Sequence, residues 1–398
     1  DTFRAAHPLY TITQPDRVND FIRSILAHYE EYGLLPIWEL LGNETNTMTG
    51  FHAIPVIADA WPKGFRDCYI QRAFAAMKKS AQQDIRGSKY YRQYGYIPYG
   101  LDGESVTKTL EYAFDDWCIA QIAGALGQQA DQDTFLSRAQ FYKNMFDPST
   151  GFMRAKLTDG SWKVPFDPRK SDHNFEVAEY TEGNAWQHAW FVPHDVAGLM
   201  ALHGSKEKFI QKLDSLFSIS SEVTGDNVSA DVSGLIGQYA HGNEPSHHIA
   251  YFYNYAGVPW KTQEMVRHIM ESQYNNTPAG LCGHEECGQM SAWYVWNAMG
   301  LYPVNPASGR YDIGSPLFEK TTIDVAPIQA VTGIQNALSS TFVMEAEGVS
   351  KTNKYIQSAT LNGQPLDRPW LTHAELAAGG TLVLNMGPNH NEQLWRGE

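Results

Sequence analysis

The first three-quarters of the sequence consists of apolar segments with helical spacing, each preceded by a loop rich in Gly, Asn and acidic residues. One such segment begins at Pro15 and ends at Gly33, and another begins at Ser105, which we expect to cap its helix. The same pattern predicts helices over 131–146, 206–217, 246–257, 259–274 and 288–300. Roughly ten to twelve helices in sequential pairs predict an α/α toroid. A helical solenoid is the alternative, but no fixed-period repeat is visible.

From Tyr311 onward, apolar and polar residues alternate, and Asn362-Gly363 is a hairpin-turn signal. The pattern predicts a mainly α protein with an α/α-toroid domain over residues 1–306 and an antiparallel β-rich segment over 307–398. Such a segment alone is small and rich in edge strands. We therefore expect it to complete a β-sandwich whose other strands precede Asp1 in a longer protein.

Composition excludes several classes of protein. Apolar residues make up 43% and charged residues 19%, which disfavours disorder. A net charge of −14 without a basic run argues against nucleic-acid binding. The sequence contains no transmembrane run, and four irregularly spaced cysteines do not form a disulfide framework. Because the chain starts at Asp1 without Met, we interpret it as a processed or truncated product, so a missing signal peptide says nothing about secretion.

A glycine-bounded loop carries His284, Glu285 and Glu286 and leads into the apolar segment 290–299, which stops at Gly300. This pattern predicts a buried helix of about three turns. Two adjacent carboxylates at the start of such a helix are solvated, paired or used in chemistry. Favourable interaction with the helix dipole is the simpler interpretation.

Glu182 lies among aromatic residues in the segment YTEGNAWQ, next to Trp186. A glycosidase needs one carboxyl group that stays protonated and one that is ionised. Glu182 suits the acid because an apolar setting raises the pKa of a carboxyl group, and Glu286 suits the base. A helix cap or a salt-bridge partner is the commoner role for a lone Glu beside Trp.

Three further polar groups have more than one interpretation. Asp115 and Asp116 lie within a predicted helix and suit a cap network and a sugar clamp equally well. Asn243 and Glu244 supply oxygen donors on a turn, which suit a hard cation such as calcium. His247 and His248 resemble a metal site, but adjacent residues on a helix point in different directions, so we do not expect zinc.

Several long segments together resemble glycoside hydrolase family 92. They are Asp1-Thr2-Phe3-Arg4, YTEGNAWQHAWFVPHDVAGL, GLIGQYAHGNEPSHHIAYFYNYAG, GQMSAWYVWNAMGLYPVNP and YDIGSPLF. The resemblance implies a calcium-dependent, inverting exo-α-mannosidase, secreted, periplasmic or on the cell surface of a bacterium, that acts on mannose-containing oligosaccharides such as N-glycans or mannans. It also implies an (α/α)6 catalytic domain with its active site at the interface with an N-terminal β-sandwich domain, which this sequence lacks.

The resemblance also implies roles for individual residues. Glu182 matches the general acid and Glu286 the position of the general base. Asn243 and Glu244 match the motif near calcium. By the same resemblance, residues that bind substrate are Asp1, Arg4, Trp186, His284 and Glu285.

The chain departs from the family at Glu286, where members usually have Asp, and at His284, where they have a small polar residue. The base is then one methylene longer, and His284 favours α-1,2 over α-1,3 linkages. Two hypotheses follow. The first is an active exo-α-mannosidase; the second is a catalytically impaired, mannose-binding relative. Retention of Glu182 favours the first.

Overall fold

The computed structural model describes residues 1–66, 70–325 and 340–396. Its contacts divide the chain into two compact units. The sheet unit comprises Asp1–Asp20, Asp59–Asp67 and His247–Glu398, and the helical unit comprises Phe21–Ala58 and Cys68–Ser246. Both units include sequence from before residue 306, so they differ from the predicted domains 1–306 and 307–398, which stay a prediction.

Helices dominate the described part of the chain before Pro306. The α-helices are α1 (Ala6–Thr13), α2 (Pro15–Tyr32), α3 (Ala53–Ala60), α4 (Ile70–Ala81), α5 (Ser88–Tyr94), α6 (Ser105–Ala125), α7 (Gln129–Arg138), α8 (Ala185–His188), α9 (Val196–Leu202), α10 (Lys206–Ser218), α11 (Phe252–Tyr255), α12 (Pro259–Gln273), α13 (Gln289–Met299) and α14 (His373–Ala377). Short 3-10 turns lie at Phe141–Met145, Glu244–Ser246, Ile249–Tyr251 and Pro306–Ser308. No described helix is long and apolar enough to cross a bilayer.

The helices predicted at 15–33, 206–217, 259–274 and 288–300 are confirmed to within two residues at each end. Pro15 begins α2, where the N–H that proline lacks would have had no partner within the helix. Left-handed glycines bound α13, with Gly288 before it and Gly300 after it, both at φ 94°. Gly300 therefore ends the helix as predicted, because its positive φ is strained for residues with a Cβ.

Three helix predictions are wrong in detail. Segment 246–257 forms one 3-10 turn, Ile249–Tyr251, and the four-residue α11, because its His, Tyr, Phe and Asn residues are weak helix formers. Segment 131–146 breaks after Arg138, whose carbonyl accepts a hydrogen bond from the Tyr91 hydroxyl at 3.0 Å instead of continuing the helix. Ser105 does not cap α6, because Glu104 occupies the N-cap position.

The strands are short in the helical unit and longer near the C-terminus. They are β1 (Glu39–Leu40), β2 (Asn43–Glu44), β3 (Phe146–Asp147), β4 (Phe152–Met153), β5 (Lys170–Asp172), β6 (Thr224–Asn227), β7 (Leu235–Ile236), β8 (Tyr239–Ala240), β9 (Leu301–Tyr302), β10 (Arg310–Ile313), β11 (Lys320–Val325), β12 (Ser340–Glu347), β13 (Tyr355–Leu361), β14 (Gln364–Pro365), β15 (Trp370–Thr372) and β16 (Gly380–Gly387). The sheet unit contains a three-stranded sheet, β15-β10-β9, and a five-stranded sheet, β11-β12-β16-β13-β14.

The C-terminal β-structure is confirmed, but its prediction as wholly antiparallel is wrong. β16 lies between β12 and β13, and it pairs parallel with β12 and antiparallel with β13. The last strand enters between two strands that precede it, and this order does not show in a period-two pattern. The hairpin signal is correct: Asn362 and Gly363 have φ of 51° and 77° between β13 and β14, as a type I′ turn requires.

The core of the helical unit is built around α6, most of whose residues are buried. Asp116 accepts hydrogen bonds from the Tyr91 hydroxyl at 2.9 Å and from Arg138 Nε at 2.8 Å. Burial raises the pKa of Asp116 to about 7, and the Arg138 guanidinium opposes this rise. Asp115 accepts from the Phe51 backbone N–H at 2.7 Å. Both side chains are buried and satisfied by protein groups, so the structure favours the cap-network interpretation over the sugar clamp.

Aromatic side chains of α13 form the centre of the sheet unit. Trp293 and Trp296 are fully buried, and Trp296 stacks on Tyr311 of β10 with 5.0 Å between ring centroids. Lys63 and Asp59 form a buried ion pair at 2.7 Å in the same unit. Moving either side chain away would leave a buried charge without its partner, which is energetically costly. The ion pair therefore holds the segment 59–63 in one position.

Candidate functional site

Glu182 lies on a left-handed turn in the helical unit, with φ of 47°. The turn is held by two hydrogen bonds of the preceding residue. The Thr181 N–H donates to Thr107 Oγ1 at 3.0 Å, and the Thr181 carbonyl accepts from His188 Nε2 at 2.7 Å. Glu182 is half-buried, while the residues around it are buried. A rigid backbone therefore presents one accessible carboxyl group.

Glycine at position 183 is required by close packing. A Cβ there would lie 2.7 Å from His188 Nε2, which is too close for any real contact. A cavity of about 290 Å³ opens beside this glycine. Pockets that bind small ligands have volumes of about 300 to 1,000 Å³, so this cavity is at the lower limit of that range. Its lining includes Tyr99, Lys163, Phe166, Asp172 and Tyr180.

Asn184 fixes the helix that follows Glu182. Its side chain accepts from the Trp186 N–H at 2.9 Å, and its own N–H donates to Gln187 Oε1 at 2.7 Å, which is a capping box. Gln238 is fully buried and accepts from Asn184 Nδ2 at 3.0 Å. Sequence reasoning missed Gln238, as well as the contacts of Thr107 and His188. The capping box, which can be recognised in the sequence N-A-W-Q, was the only local signal for these contacts.

Trp186, predicted to bind substrate, is 6% exposed. Its ring packs against the edge of Phe152 at 4.8 Å between centroids, and the Lys212 ammonium lies 4.3 Å from the ring centre. The visible contacts of Trp186 are therefore with protein, and its role towards substrate stays a prediction.

Asn243 and Glu244, the predicted calcium ligands, lie in the same unit as Glu182. They are 6% and 3% exposed. Asn243 Nδ2 donates to the backbone carbonyl of Glu182 at 2.9 Å. The structure therefore brings the predicted metal motif and the predicted acid into direct contact through the backbone.

Glu104 is a buried carboxyl group that the sequence did not single out. It has a left-handed backbone with φ of 57°, and its N–H donates to the Ala178 carbonyl at 2.7 Å. Burial raises the pKa of Glu104 to about 7, while the Lys108 ammonium and the Thr181 hydroxyl act in the opposite direction. This carboxyl group therefore titrates near neutrality next to the turn that carries Glu182.

The raised pKa of Glu104 predicts a pH-dependent free energy of unfolding. The folded-state pKa lies above the unfolded-state value, so the native state holds the extra proton and stability falls as pH rises towards 7. Between pH 5.5 and 8.0, we expect the wild type to lose about 2 kcal/mol more than Glu104→Gln, measured by urea unfolding. Asp116 titrates in both proteins, so the difference isolates Glu104. Equal losses would contradict the prediction, and Glu176→Gln, an exposed neighbour, serves as the control.

The sheet unit carries the predicted base and most of the predicted sugar-binding residues. Glu286 is exposed at φ 46°, and Cys287 and Gly288 continue with φ of 55° and 94° before α13 begins. Three consecutive left-handed residues therefore separate the loop from the helix. His284 is also exposed on this loop.

Glu285 interacts with the N-terminus of α13, as the helix-dipole interpretation of the adjacent Glu285 and Glu286 predicts. Its carboxylate accepts from the Ser291 N–H at 3.1 Å and from the Ser291 hydroxyl at 2.9 Å, in the first turn of α13. Glu285 therefore stabilises the helix start, and its contact with substrate stays a prediction. Of the two cysteines of this loop, Cys282 is half-buried and Cys287 is exposed.

Asp1 and Arg4 form an ion pair at 2.8 Å in the first turn of the sheet unit, and Arg4 is 4% exposed. His247 is buried, and its backbone carbonyl accepts from Trp293 Nε1 at 2.9 Å. Within the described residues, no group of three His, Cys, Asp or Glu side chains has the arrangement of a metal site. Amide and carbonyl donors fall outside that set, so the calcium prediction stays open.

Comparison with known proteins addresses the family. The profile of the glycosyl hydrolase family 92 catalytic domain matches residues 1–388. An uncharacterized secreted glycosidase of Arthroderma benhamiae is 28% identical over 97% of this chain and 51% of its own length. The family 92 α-mannosidase BT3965 of Bacteroides thetaiotaomicron, solved with mannoimidazole, is 39% identical with a TM-score of 0.92, over 100% of this chain and 51% of its own.

A second solved structure, the inverting family 92 mannosidase BT2199 of the same bacterium, is 38% identical with a TM-score of 0.87. The match covers 100% of this chain and 54% of that protein. The chain thus spans about half the length of these relatives. Because the family profile extends over nearly all of its residues, the chain belongs to glycosyl hydrolase family 92.

Proposed function

We propose that this protein is an exo-acting α-mannosidase that removes terminal α-mannosyl residues with inversion and with a preference for α-1,2 linkages. The observation that carries the proposal is Glu182, a half-buried carboxyl group on a left-handed turn fixed by Thr181 and Asn243. The 39% identity with an α-mannosidase solved with mannoimidazole supports the same substrate class.

In this proposal, inversion is a single displacement. Glu182 protonates the leaving oxygen as the bond between that oxygen and the anomeric carbon breaks. Glu286 accepts a proton from a water molecule whose oxygen forms the new bond to the anomeric carbon. Asp1 and Arg4 hold the terminal mannose, with Trp186 as a further sugar contact. His284 and Glu285 contact the departing sugar.

Calcium is the proposed cofactor, and the donor set of the helical unit fits it. Asn243 Nδ2 donates to the Glu182 carbonyl, and Asn243 and Glu244, which are both buried, supply an amide oxygen and a carboxylate. Amide and carboxylate oxygens are the ligands that a hard cation takes. When bound, calcium would hold mannose hydroxyl groups and favour a distorted ring.

Removing calcium is expected to abolish most of the activity. We expect exhaustive EDTA treatment to lower hydrolysis of α-1,2-mannobiose by at least about 100-fold, because a bound cation contributes several kcal/mol of charge stabilisation. Adding calcium back should restore the rate, whereas magnesium, which keeps its waters, should not. Unchanged activity after complete chelation, verified by elemental analysis, would refute the metal role.

The proposal extends to architecture and partners. We propose that the helices form an (α/α)6 toroid and that the five-stranded sheet belongs to a β-sandwich shared with an N-terminal domain. The substrates would be mannose-containing oligosaccharides such as N-glycans or mannans. We also propose a secreted, periplasmic or cell-surface location in a bacterium, and the relative described as a secreted glycosidase supports secretion. Nucleic acid is not a proposed partner.

The decisive experiment is hydrolysis of α-1,2-, α-1,3- and α-1,6-mannobiose with calcium, with the anomer of the released mannose followed by NMR. β-Mannose as first product and fastest cleavage of the α-1,2 linkage are expected. α-Mannose as first product would overturn inversion. Binding of mannobiose without turnover would favour the second candidate, an impaired mannose-binding relative, to which the Glu at position 286 points.

A further inference from the structure

Gln289 is the first residue of α13 and follows the loop that carries Glu286. It is fully buried. Its side-chain oxygen accepts hydrogen bonds from the backbone N–H groups of Ala5 at 2.9 Å and Ala6 at 3.1 Å. These partners lie 284 and 283 residues earlier in the sequence.

These two bonds replace a helix cap. α1 begins at Ala6, and the N-cap position is Ala5, which has no side-chain acceptor. The first N–H groups of a helix have no partner within it and need an acceptor from elsewhere. Gln289 supplies that acceptor, so the start of α1 depends on a residue of α13.

The orientation of the Gln289 amide follows from its partners. Both backbone groups are donors, so the atom between them must be the oxygen, and the amide nitrogen therefore faces His247. Gln289 Nε2 lies 3.2 Å from His247 Nδ1, which accepts the hydrogen bond. One amide group thus joins three segments that are distant in sequence.

Two tryptophans on the same face of α13 reinforce this connection. Residues 289, 293 and 296 are spaced by four and three positions, so their side chains lie along one stripe of the helix. Trp293 Nε1 donates to the His247 carbonyl at 2.9 Å, and Trp296 Nε1 donates to the Ala5 carbonyl at 3.0 Å. The helix therefore holds residues 5 and 247 at two points each.

We propose that Gln289 is a positioning residue for the mannosidase reaction. It fixes the N-terminal turn, which bears Asp1 and Arg4, relative to the loop that bears Glu286. This inference rests on the proposed function, because Asp1 and Arg4 are the proposed mannose contacts and Glu286 the proposed base. Gln289 touches none of the reacting atoms and acts through the backbone of residues 5 and 6.

The test replaces Gln289 by Met and by Glu in the full-length protein. Gln289→Met keeps the length of the side chain and removes the acceptor, whereas Gln289→Glu keeps an acceptor for Ala5 and Ala6. Because displacement of a positioned group by an ångström costs about 100-fold in rate, we expect Gln289→Met to lower kcat/KM for α-1,2-mannobiose by about that factor. Gln289→Glu should recover at least about tenfold of the loss, since the acceptor is restored.

Gln263 provides a matched control for stability. It is buried in α12 of the same unit, and its side-chain oxygen accepts from the Ile356 N–H at 2.9 Å. Gln263→Met removes a comparable buried bond but is not joined to the residues proposed to bind mannose. We expect it to leave kcat/KM within about threefold, well below the loss that a misplaced reacting group causes.

Amide hydrogen exchange separates this inference from the proposed function. Gln289→Met should accelerate exchange at Ala5 and Ala6 relative to both wild type and Gln263→Met. Equal kcat/KM in Gln289→Met and Gln263→Met would overturn the positioning role, and unchanged exchange at Ala5 and Ala6 would overturn the cap. An inactive wild type would overturn the proposed function and the catalytic part of this inference, while exchange would still decide the cap.

Discussion

Replacing Glu182 by Gln is expected to lower kcat for α-1,2-mannobiose by about 1,000-fold, the midpoint of what a general acid contributes. Gln keeps the size and the hydrogen-bonding tip of the side chain but has no proton to deliver to the leaving oxygen. The backbone contacts of Thr181 and Asn243 do not involve the carboxyl group, so the turn itself should persist. The effect is therefore expected in the chemical step, with little change in the urea midpoint.

The leaving group distinguishes an acid from a residue that only supports the fold. The dinitrophenolate group of a dinitrophenyl α-mannoside leaves without protonation. Glu182→Gln should therefore slow cleavage of this substrate at least about tenfold less than it slows cleavage of mannobiose. Glu179→Gln is the matched control, since Glu179 lies three residues away and pairs with Lys163. Equal losses on both substrates would show that Glu182 is not the acid.

Replacing Glu286 by Gln is expected to lower turnover of mannobiose and of the dinitrophenyl mannoside alike, by about 100- to 10,000-fold. The reason is that a base acts on water, whichever leaving group departs. Glu286 is exposed on its loop, so the variant should fold as well as the wild type. Glu345→Gln on β12, a half-buried carboxylate of the same unit that pairs with Lys320, serves as the control.

Glu286→Asp decides between the two candidate functions. For an active enzyme whose loop is adapted to Glu, shortening the side chain by one methylene misplaces the carboxylate and should cost about 100-fold. For an impaired relative, the same change restores the usual base and should raise turnover.

For Glu286→Gln, loss of activity on mannobiose but not on the dinitrophenyl mannoside would contradict the role of Glu286 as the base.

Local signals in the sequence predicted much of the fold. Pro15, the glycines that bound α13, and Asn362-Gly363 each act within a few residues, so their effects are readable from composition and spacing. The family motifs likewise singled out Glu182 as the candidate acid. These features depend on backbone preferences that any chain with the same residues shares.

The remaining features depend on residues far apart in sequence. The bond between Gln289 and the start of α1 has no local signature, because neither Gln289 nor Ala5 is unusual in its own segment. The left-handed conformations of Glu104, Glu182 and Glu286 are equally invisible, since Glu does not favour positive φ. Tertiary contacts fix these angles, at a cost of about 1–2 kcal/mol per residue.

β16 is the last strand of the five-stranded sheet to be synthesised, yet it lies in the middle of that sheet. β12 and β13 are translated well before β16, yet the five-stranded sheet joins them only through it. Until residue 387 leaves the ribosome, the β11-β12 and β13-β14 pairs each present an unpaired strand edge to other nascent chains. Premature termination before residue 380 would therefore release a chain in which β12 and β13 each have an unpaired strand edge. We expect chaperones to bind the incomplete chain mainly at these two edges.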